Sequence, residues 1–241
     1  MDALIYTAMS GAERALHAQQ VRANNLANAD TPGFRADLEI SVSEAVRGYG
    51  YDARHMGRLQ ADTLSTRQGP MQQTDRDLDV AIAGDGFLAV QWGEGEAYTR
   101  AGALTVDPEG TLTVNGRPVM GEGGPIVLPP YSQLAIGEDG TISVRPPGQP
   151  QMQVVERLKL VRPDAADIVK NEAGLIVSRT QADLPADPDV RVRSGFLEGS
   201  NVSAVEEMVA TMTLNREFEM QMKLYKAADS MAETGNRLIR E

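Results

Sequence analysis

The chain has 241 residues, 41% of them hydrophobic, which indicates a folded protein with a core of ordinary size. Its formal net charge of -11 and its dispersed basic residues argue against nucleic-acid binding and against docking on anionic lipid, since both depend on Lys and Arg. The absence of cysteine excludes disulfides, thiolate nucleophiles and zinc sites built from cysteine.

The beginning of the chain has the residues of neither a signal peptide nor a membrane anchor. Asp2 stands where a signal peptide has basic residues, and polar residues interrupt every apolar run. No stretch approaches the roughly 20 apolar residues that span a bilayer. We expect export without a cleaved signal peptide and no direct membrane insertion.

The first predicted element is a helix over about residues 3–29. Its apolar positions recur at spacings of four and three, which places them on one face. Asp2 is a candidate N-cap, and the turn at 30–33 ends the helix because the residue before Pro32 avoids the helical region. The stripe is thin and is suited to close helix packing; it consists of Ile5, Met9, Ala12, Leu16, Gln19, Ala23 and Leu26.

The middle of the chain changes from a polar segment to short strands. Residues 37–75 predict an extended connector with little core of its own. From residue 76 the hydrophobic period becomes two, with turn signals at Glu109-Gly110, Asn115-Gly116 and Asp139-Gly140, which indicates an antiparallel β-domain. The predicted strands are 78–82, 104–106, 111–114, 126–128, 141–144 and 190–192.

The last predicted element is a second long helix, over about residues 202–239. Ser200 or Asn201 is expected to cap it, and Glu206 and Glu207 lie near the positive end of its dipole. Methionines at helical spacing indicate packing and not a metal site. The main stripe consists of Val205, Met208, Met212, Phe218, Met222, Tyr225 and Ala232.

These elements predict an α+β fold in which the two terminal helices form a discontinuous helical domain around a central, mostly antiparallel β-domain. The predicted boundaries are 1–36 for the first helix, 37–75 for the connector, 76–196 for the β-domain and 197–241 for the last helix. Long one-sided helices without a core of their own bury against each other or against neighbouring subunits, so the pattern favours assembly.

The segment GDGFLA (84–89) fits the loose dinucleotide-binding pattern. That pattern requires a helix N-terminus after the glycines to hold a pyrophosphate, whereas residues 88–92 continue as a strand. We interpret Gly84 and Gly86 as the turn glycines of a hairpin.

Acidic residues alternate at Asp75, Asp77 and Asp79, as at the start of an EF-hand loop. The positions that require glycine and glutamate hold Val80 and Gly86 instead, so calcium is not expected.

The chain has two histidines, His17 and His55, and neither has a local partner pattern for a catalytic triad or a metal site. No pair of carboxylates is singled out for glycoside hydrolysis. The sequon at Asn201 is better explained by helix capping. We predict no catalytic residue, no cofactor and no metal.

Four ordered motifs carry a family resemblance. They are ANNLANADTPGFR (23–35), GPMQQT running into LDVAIAGDGFLAV (69–74 and 78–90), YTRAGALTVDPEGTLTVNGRPVMG (98–121) and GFLEGSNVSAVEEMV (195–209). The chain resembles the flagellar rod and hook proteins of bacteria along nearly its full length, and its start is most similar to proximal rod members. Leu88 and Ala103 depart from residues common in that family.

The resemblance implies a structural protein of the flagellar basal body, not an enzyme. It implies an inner helical domain lining the channel of a periplasm-spanning rod, with the β-domain outside. It also implies export by the flagellar type III apparatus, and assembly with itself and with other rod proteins to transmit torque.

We expect assembly contacts from both helices and a fixed chain exit after the first. Asn24, Asn25 and Asn28 are candidates for polar helix-end contacts, with capping as the alternative. Pro32, Gly33 and Phe34 are expected to direct the chain towards the connector. The expected interface comprises Ile5, Met9, Leu16, Asn24, Asn25, Leu26, Asn28, Met208, Met212, Phe218, Met222 and Tyr225.

Three other functions remain open at this point. The chain could be another rod or hook subunit, such as the distal rod protein. It could also be the stalk of a non-flagellar fibre or adhesin, or an acidic periplasmic hydrolase.

Overall fold

The computed structural model describes residues 2–45 and 55–240 of the chain. They divide into two compact units. The helical unit comprises Met1–Ala27, Asp37–Asp62 and Ser203–Glu241, and the β unit comprises Asn28–Ala36 and Thr63–Val202. The polar segment 37–75 is therefore shared between the two units. Among the described residues, no helix has the length and apolar content to cross a membrane.

The helical unit contains two long helices and a pair of strands. Helix α1 spans Asp2–Ala27 and helix α2 spans Ala204–Arg240. Strands β1 (Asp37–Ala45) and β2 (His55–Leu64) pair in a two-stranded sheet, within the segment expected to be an extended connector. The central segment is mostly antiparallel strand, so the predicted α+β class is confirmed.

The start of α2 differs from the prediction. Ser203, and neither Ser200 nor Asn201, caps the helix, because its Oγ accepts a hydrogen bond from the Glu206 N–H at 3.4 Å. The helix begins at Ala204, which places Asn201 outside the capping position. Glu206 and Glu207 lie in the first turn, where the helix dipole favours carboxylates.

The β unit consists of short strands joined by tight turns. The described strand pairs of known register are antiparallel. The strands are β3 (Met71–Gln73), β4 (Val80–Ala83), β5 (Phe87–Trp92), β6 (Gly95–Thr99), β7 (Leu104–Val106), β8 (Leu112–Val114), β9 (Arg117–Pro118), β10 (Met120–Gly121), β11 (Gly124–Pro125), β12 (Gln133–Ile136), β13 (Thr141–Arg145), β14 (Gln153–Arg157), β15 (Leu160–Val161), β16 (Ile168–Lys170), β17 (Ile176–Ser178), β18 (Arg191–Ser194) and β19 (Phe196–Glu198).

The largest sheet has the order β15-β5-β6-β17-β16, and β12-β13-β14 and β7-β8-β9 form three-stranded sheets. Alternation along β13 shows how the sequence directs burial: Ile142 and Val144 are buried, and the residues between and beside them are partly exposed. Branched aliphatic side chains dominate the main core, which joins residues from β4 to β18.

Turn chemistry explains one hairpin directly. Asn115 and Gly116, with φ angles of 50° and 74°, connect β8 to β9, as a type I′ turn requires.

The turn at 84–86 is not the hairpin that the sequence predicted. Gly84 and Gly86 have positive φ angles of 80° and 142°, but β4 pairs with β18 whereas β5 pairs with β6 and β15. The glycines therefore form a corner between two sheets. The predicted strand at 126–128 is also absent as such, and within it Val127 makes only an isolated bridge to Thr111.

Candidate assembly surface of the helical unit

Small side chains form the seam between α1 and α2. Ala8, Ala12 and Ala15 are buried along one face of α1. A Cβ atom at Gly11 would lie 3.0 Å from the Gln221 side chain, which shows how closely the helices approach there. Only small side chains fit where two helices approach closely, so the helices pack along this face without large apolar side chains.

Polar side chains anchor the end of the seam near the C-terminus of α1. Arg22 pairs with Glu207 at 3.2 Å. Asn25 is fully buried; its Nδ2 donates to the Asp37 carbonyl at 3.0 Å and to Glu207 Oε1 at 3.4 Å. Its Oδ1 accepts from the Asp37 N–H at 2.9 Å. Asn25 thus links α1, β1 and α2 within one subunit.

The other two candidate asparagines have different surroundings. Asn24 is exposed, and its Nδ2 donates to Asp37 Oδ2 at 3.0 Å. Asn28 lies just after α1, where its side-chain oxygen accepts from the Thr31 hydroxyl at 3.1 Å and its carbonyl accepts from the Thr31 N–H. Asn28 therefore stabilises the turn that follows the helix.

Large apolar side chains lie on the outward faces of both helices. On α1, Met9 is 51% exposed and Leu16 is 46% exposed; on α2, Met208 is 50% exposed and Met212 is 61% exposed. Met222 and Tyr225 are also exposed, Leu26 and Phe218 are half-buried, and the side chain of Ile5 lies outside the described residues. Met9, Leu16, Met208 and Met212 therefore keep about half or more of their surface exposed within their own subunit.

The buried face of α1 is rotated by roughly a sixth of a turn from the centre of the predicted stripe and shares Ala12 with it, since each residue advances roughly 100° around a helix. Sequence reasoning selected a stripe that carries Met9 and Leu16 together with smaller and polar side chains. The signal for the buried face was present in the spacing of Ala8, Gly11, Ala12 and Ala15.

The β unit contains a buried cluster of charged side chains that the sequence analysis did not predict. Glu198 is buried, and its two carboxylate oxygens contact Arg35 Nη2 at 2.9 Å and Arg100 Nη1 at 2.8 Å. The Gly69 N–H also donates to Glu198 Oε1 at 2.9 Å. Burial and the neighbouring Arg100 charge lower the pKa of Arg35 to about 10, and burial also lowers the pKa of Arg100.

The turn after α1 packs closely against the β unit's own backbone. Gly33 has a φ of 71°, and its N–H donates to the Glu198 carbonyl at 2.8 Å. A Cβ at this position would lie 2.3 Å from the Ala101 nitrogen, so only glycine fits. Phe34 stacks under the Lys170 ammonium, whose Nζ lies 3.9 Å from the ring centroid. Pro32, before this glycine, is exposed.

Asn201 has a different role from the predicted cap. Its Oδ1 accepts from the Ala36 N–H at 2.7 Å, and its Nδ2 donates to the carbonyls of Arg67 at 2.8 Å and Ser65 at 3.4 Å. The side chain joins its own segment to two other stretches of backbone in the β unit, one at Ala36 and one at residues 65–67.

Among the described residues, no group of three His, Asp or Glu side chains is placed to hold a metal ion. His17 Nδ1 lies 3.5 Å from Glu39, and the side chain of His55 lies outside the described residues. Burial raises the pKa of Tyr98 to about 12, and this hydroxyl accepts the Leu184 N–H.

Three family descriptions match successive parts of this chain. "Flagella basal body rod protein" matches residues 5–35, "Flagellar hook protein FlgE/F/G D1 domain" matches 81–144, and "Flagellar basal body rod FlgEFG protein C-terminal" matches 193–238. The chain is also 44% identical to the flagellar basal-body rod protein FlgF of Escherichia coli (strain K12), with 99% of each chain covered. The chain belongs to the FlgF family of flagellar basal-body rod proteins.

Two more FlgF relatives extend this finding. The FlgF protein of Salmonella typhimurium is 43% identical with 99% of each chain covered. That of Caulobacter vibrioides is 34% identical over 93% of this chain and 92% of the relative. The chain is a structural subunit of the flagellar rod in the basal body, and the predicted family and the predicted role as a structural rod subunit are confirmed. Similarity to FlgF proteins over the whole length favours this over an adhesin stalk or a hydrolase.

Proposed function

We propose that the chain polymerises through its terminal helices as a subunit of the proximal part of the rod. The observation that carries this proposal is the arrangement of apolar side chains on the helical unit. Within one subunit, alanines are the buried side chains of the seam, whereas methionine and leucine side chains remain exposed on the outward faces. Clustered exposed apolar side chains mark protein interaction sites, and copies of this chain and other rod proteins are the proposed partners.

The proposed role is mechanical. Helices of 26 and 37 residues are roughly 40 and 55 Å long, which is suited to side-by-side packing around a channel. In this proposal the helical unit lines the export channel and the packed helices transmit torque across the periplasm. Export by the flagellar type III apparatus is supported by family membership and by a chain without cysteine, which cannot form disulfides in an oxidising compartment.

Introducing a negatively charged side chain on an outward face of either helix tests the proposal. We expect Leu16→Asp or Met212→Asp to abolish motility and remove the chain from isolated basal bodies, because each would bury a carboxylate in an apolar contact between subunits. The isolated variants should keep the far-ultraviolet circular dichroism of the native chain, since both positions are exposed in the subunit.

Matched controls place the same carboxylate on polar positions of the same helices. Gln20→Asp and Asn215→Asp alter exposed residues and should leave swimming and basal-body incorporation unchanged. An in-frame deletion supplies the reference, with rods truncated near the inner membrane in electron micrographs. Normal assembly by the Leu16 and Met212 variants would show that these faces make no essential contact.

A further inference from the structure

Exposed thioether groups lie along α2. The chain has 11 methionines and no cysteine, so the thioether is its only sulfur group. Met208, Met212 and Met220 are 50%, 61% and 56% exposed, and Met222 and Met231 are exposed as well. The susceptibility of sulfur to oxidation follows its exposure. In a chain without thiols, a peroxide that reaches the protein therefore reacts at these methionines.

Met208 and Met212 belong to an apolar face of the helix. At roughly 100° per residue they share about a third of a turn with Val205 and Val209, which are also exposed. This face lies roughly opposite to Ala228, which is buried. Valine has no sulfur, so the two methionines are the positions at which oxidation changes the polarity of this face.

Oxidation of a thioether adds one polar atom and leaves the rest of the side chain in place. A sulfur lone pair attacks one oxygen of hydrogen peroxide, the S–O bond forms as the O–O bond breaks, and the hydroxide released takes up the proton and leaves as water. The sulfur loses two electrons and the peroxide gains them. The sulfoxide is polar and accepts hydrogen bonds, so burying it in an apolar contact without a donor costs free energy.

We propose that Met208 and Met212 form an oxidation site whose state decides whether a free subunit enters the rod. A peroxide converts both thioethers to sulfoxides in the free chain, where they are exposed. The effect on assembly rests on the proposed function, because the outward face of α2 is buried between subunits in the rod. An oxidised chain would have to bury two sulfoxides there, and it is excluded. Methionine-rich contacts are sensitive to this change for the same reason.

The reactivity is measured on the purified full-length chain. The chain is treated with hydrogen peroxide, and peptide mass spectrometry follows the added oxygen atom at each methionine over time. We expect sulfoxide at Met208 and Met212 to form several-fold faster than at Met120, which is half-buried and packs against a core cluster of the β unit. Equal rates at the three positions would contradict the proposed site.

The effect on assembly is measured in cells in which a variant replaces the native copy. Rods form with or without hydrogen peroxide in the medium, and the amount of this chain in isolated basal bodies is determined for each condition. We expect peroxide to reduce the amount of the native chain, whereas the double variant Met208→Leu and Met212→Leu should give the same amount under both conditions. Leucine is apolar and similar in volume to methionine but has no sulfur. The two strains differ only at these residues, so damage to other rod proteins affects both equally.

Glutamine places a polar group where the sulfoxide would be. The double variant Met208→Gln and Met212→Gln should be lost from basal bodies even without peroxide. The matched control Met71→Gln and Met152→Gln alters exposed methionines of the β unit and should be incorporated as the native chain is.

The proposed site would be overturned by a leucine variant that is as sensitive to peroxide as the native chain, or that is absent from basal bodies without peroxide, since the site requires apolar side chains and no sulfur. Normal incorporation of the glutamine variant at Met208 and Met212 would also overturn it. If Met212→Asp is excluded while that glutamine variant is incorporated, the proposed function stands and only the oxidation site is refuted. If Met212→Asp is incorporated as well, the proposed function itself is refuted.

Discussion

Glu198 is one carboxylate held between two buried guanidinium groups. Arg100 Nη1 also donates to the Ile82 carbonyl at 3.2 Å, and Arg100 Nη2 donates to the Gly84 carbonyl at 2.6 Å. Removing a charged group from water costs free energy, so a buried ion pair as a whole adds little net stability. Removing only one partner is destabilising because the other charge is then buried without compensation. Arg35, Gly69, Arg100 and Glu198 come from the four motifs that indicate the family, so these motifs meet at one carboxylate.

Glu198→Gln should destabilise the β unit by about 3–5 kcal/mol, because both guanidinium groups would lose their anionic partner. Denaturant unfolding followed by fluorescence measures this, since the single tryptophan, Trp92, lies in β5 of that unit. The control is Glu122→Gln, which removes an exposed partner of Arg157 at 3.5 Å and should cost at most about 1 kcal/mol. Equal effects from the two substitutions would contradict the role assigned to Glu198.

At the scale of elements, α1 shows why a helix can bury its smaller side chains. Packing against α2 at close range requires short side chains, and Ala8, Ala12 and Ala15 meet that requirement. The larger Met9 and Leu16 then lie outward, where a neighbouring subunit can cover them. One helix therefore carries a buried intramolecular face and, beside it, an exposed apolar face that we propose for assembly.

Ala12→Leu should disrupt the helix pair, because added side-chain volume in a close-packed seam typically costs about 1–3 kcal/mol. Loss of the far-ultraviolet helical signal at lower denaturant concentration is the expected result. Ala23→Leu makes the same change at an exposed position of α1 and should have little effect. If Ala12→Leu were as stable as the native chain, the seam would have to pack less closely than the structure shows.

At the scale of the whole molecule, the chain is built from two units of different internal character. The β unit has a broad core of branched aliphatic side chains drawn from many strands. The helical unit buries mainly alanines and a polar network around Asn25, and leaves much of its large apolar surface exposed. Less apolar burial means less hydrophobic stabilisation, at roughly 25 cal/mol per Å².

We therefore expect two unfolding transitions in the isolated chain. The helical signal in circular dichroism should decrease at a lower denaturant concentration than the fluorescence change of Trp92 in the β unit. Incorporation into the rod would cover the exposed helix faces and raise the denaturant concentration at which the helical signal decreases. Coincident transitions by both probes would show that the two units unfold as one.

Local sequence patterns were sufficient to predict the classes of element and much of their extent. Both terminal helices were predicted to within a few residues, because their period and their flanking turns are local properties. Residues 104–106 form the strand predicted there, and Asn115-Gly116 forms the predicted turn because its backbone conformation depends on those two residues. The four ordered motifs were sufficient to identify the family.

Which helix faces meet and which charges pair depends on contacts between residues that are distant in the sequence. Arg100 and Glu198 are 98 residues apart along the chain, and no local pattern shows that they share a buried site. Asn201 lies outside the capping position, and its side chain bonds two other backbone segments of the β unit. The stripe predicted on α1 is rotated from the buried face because hydrophobic periodicity detects apolar size, whereas the distance between two helices decides which size fits.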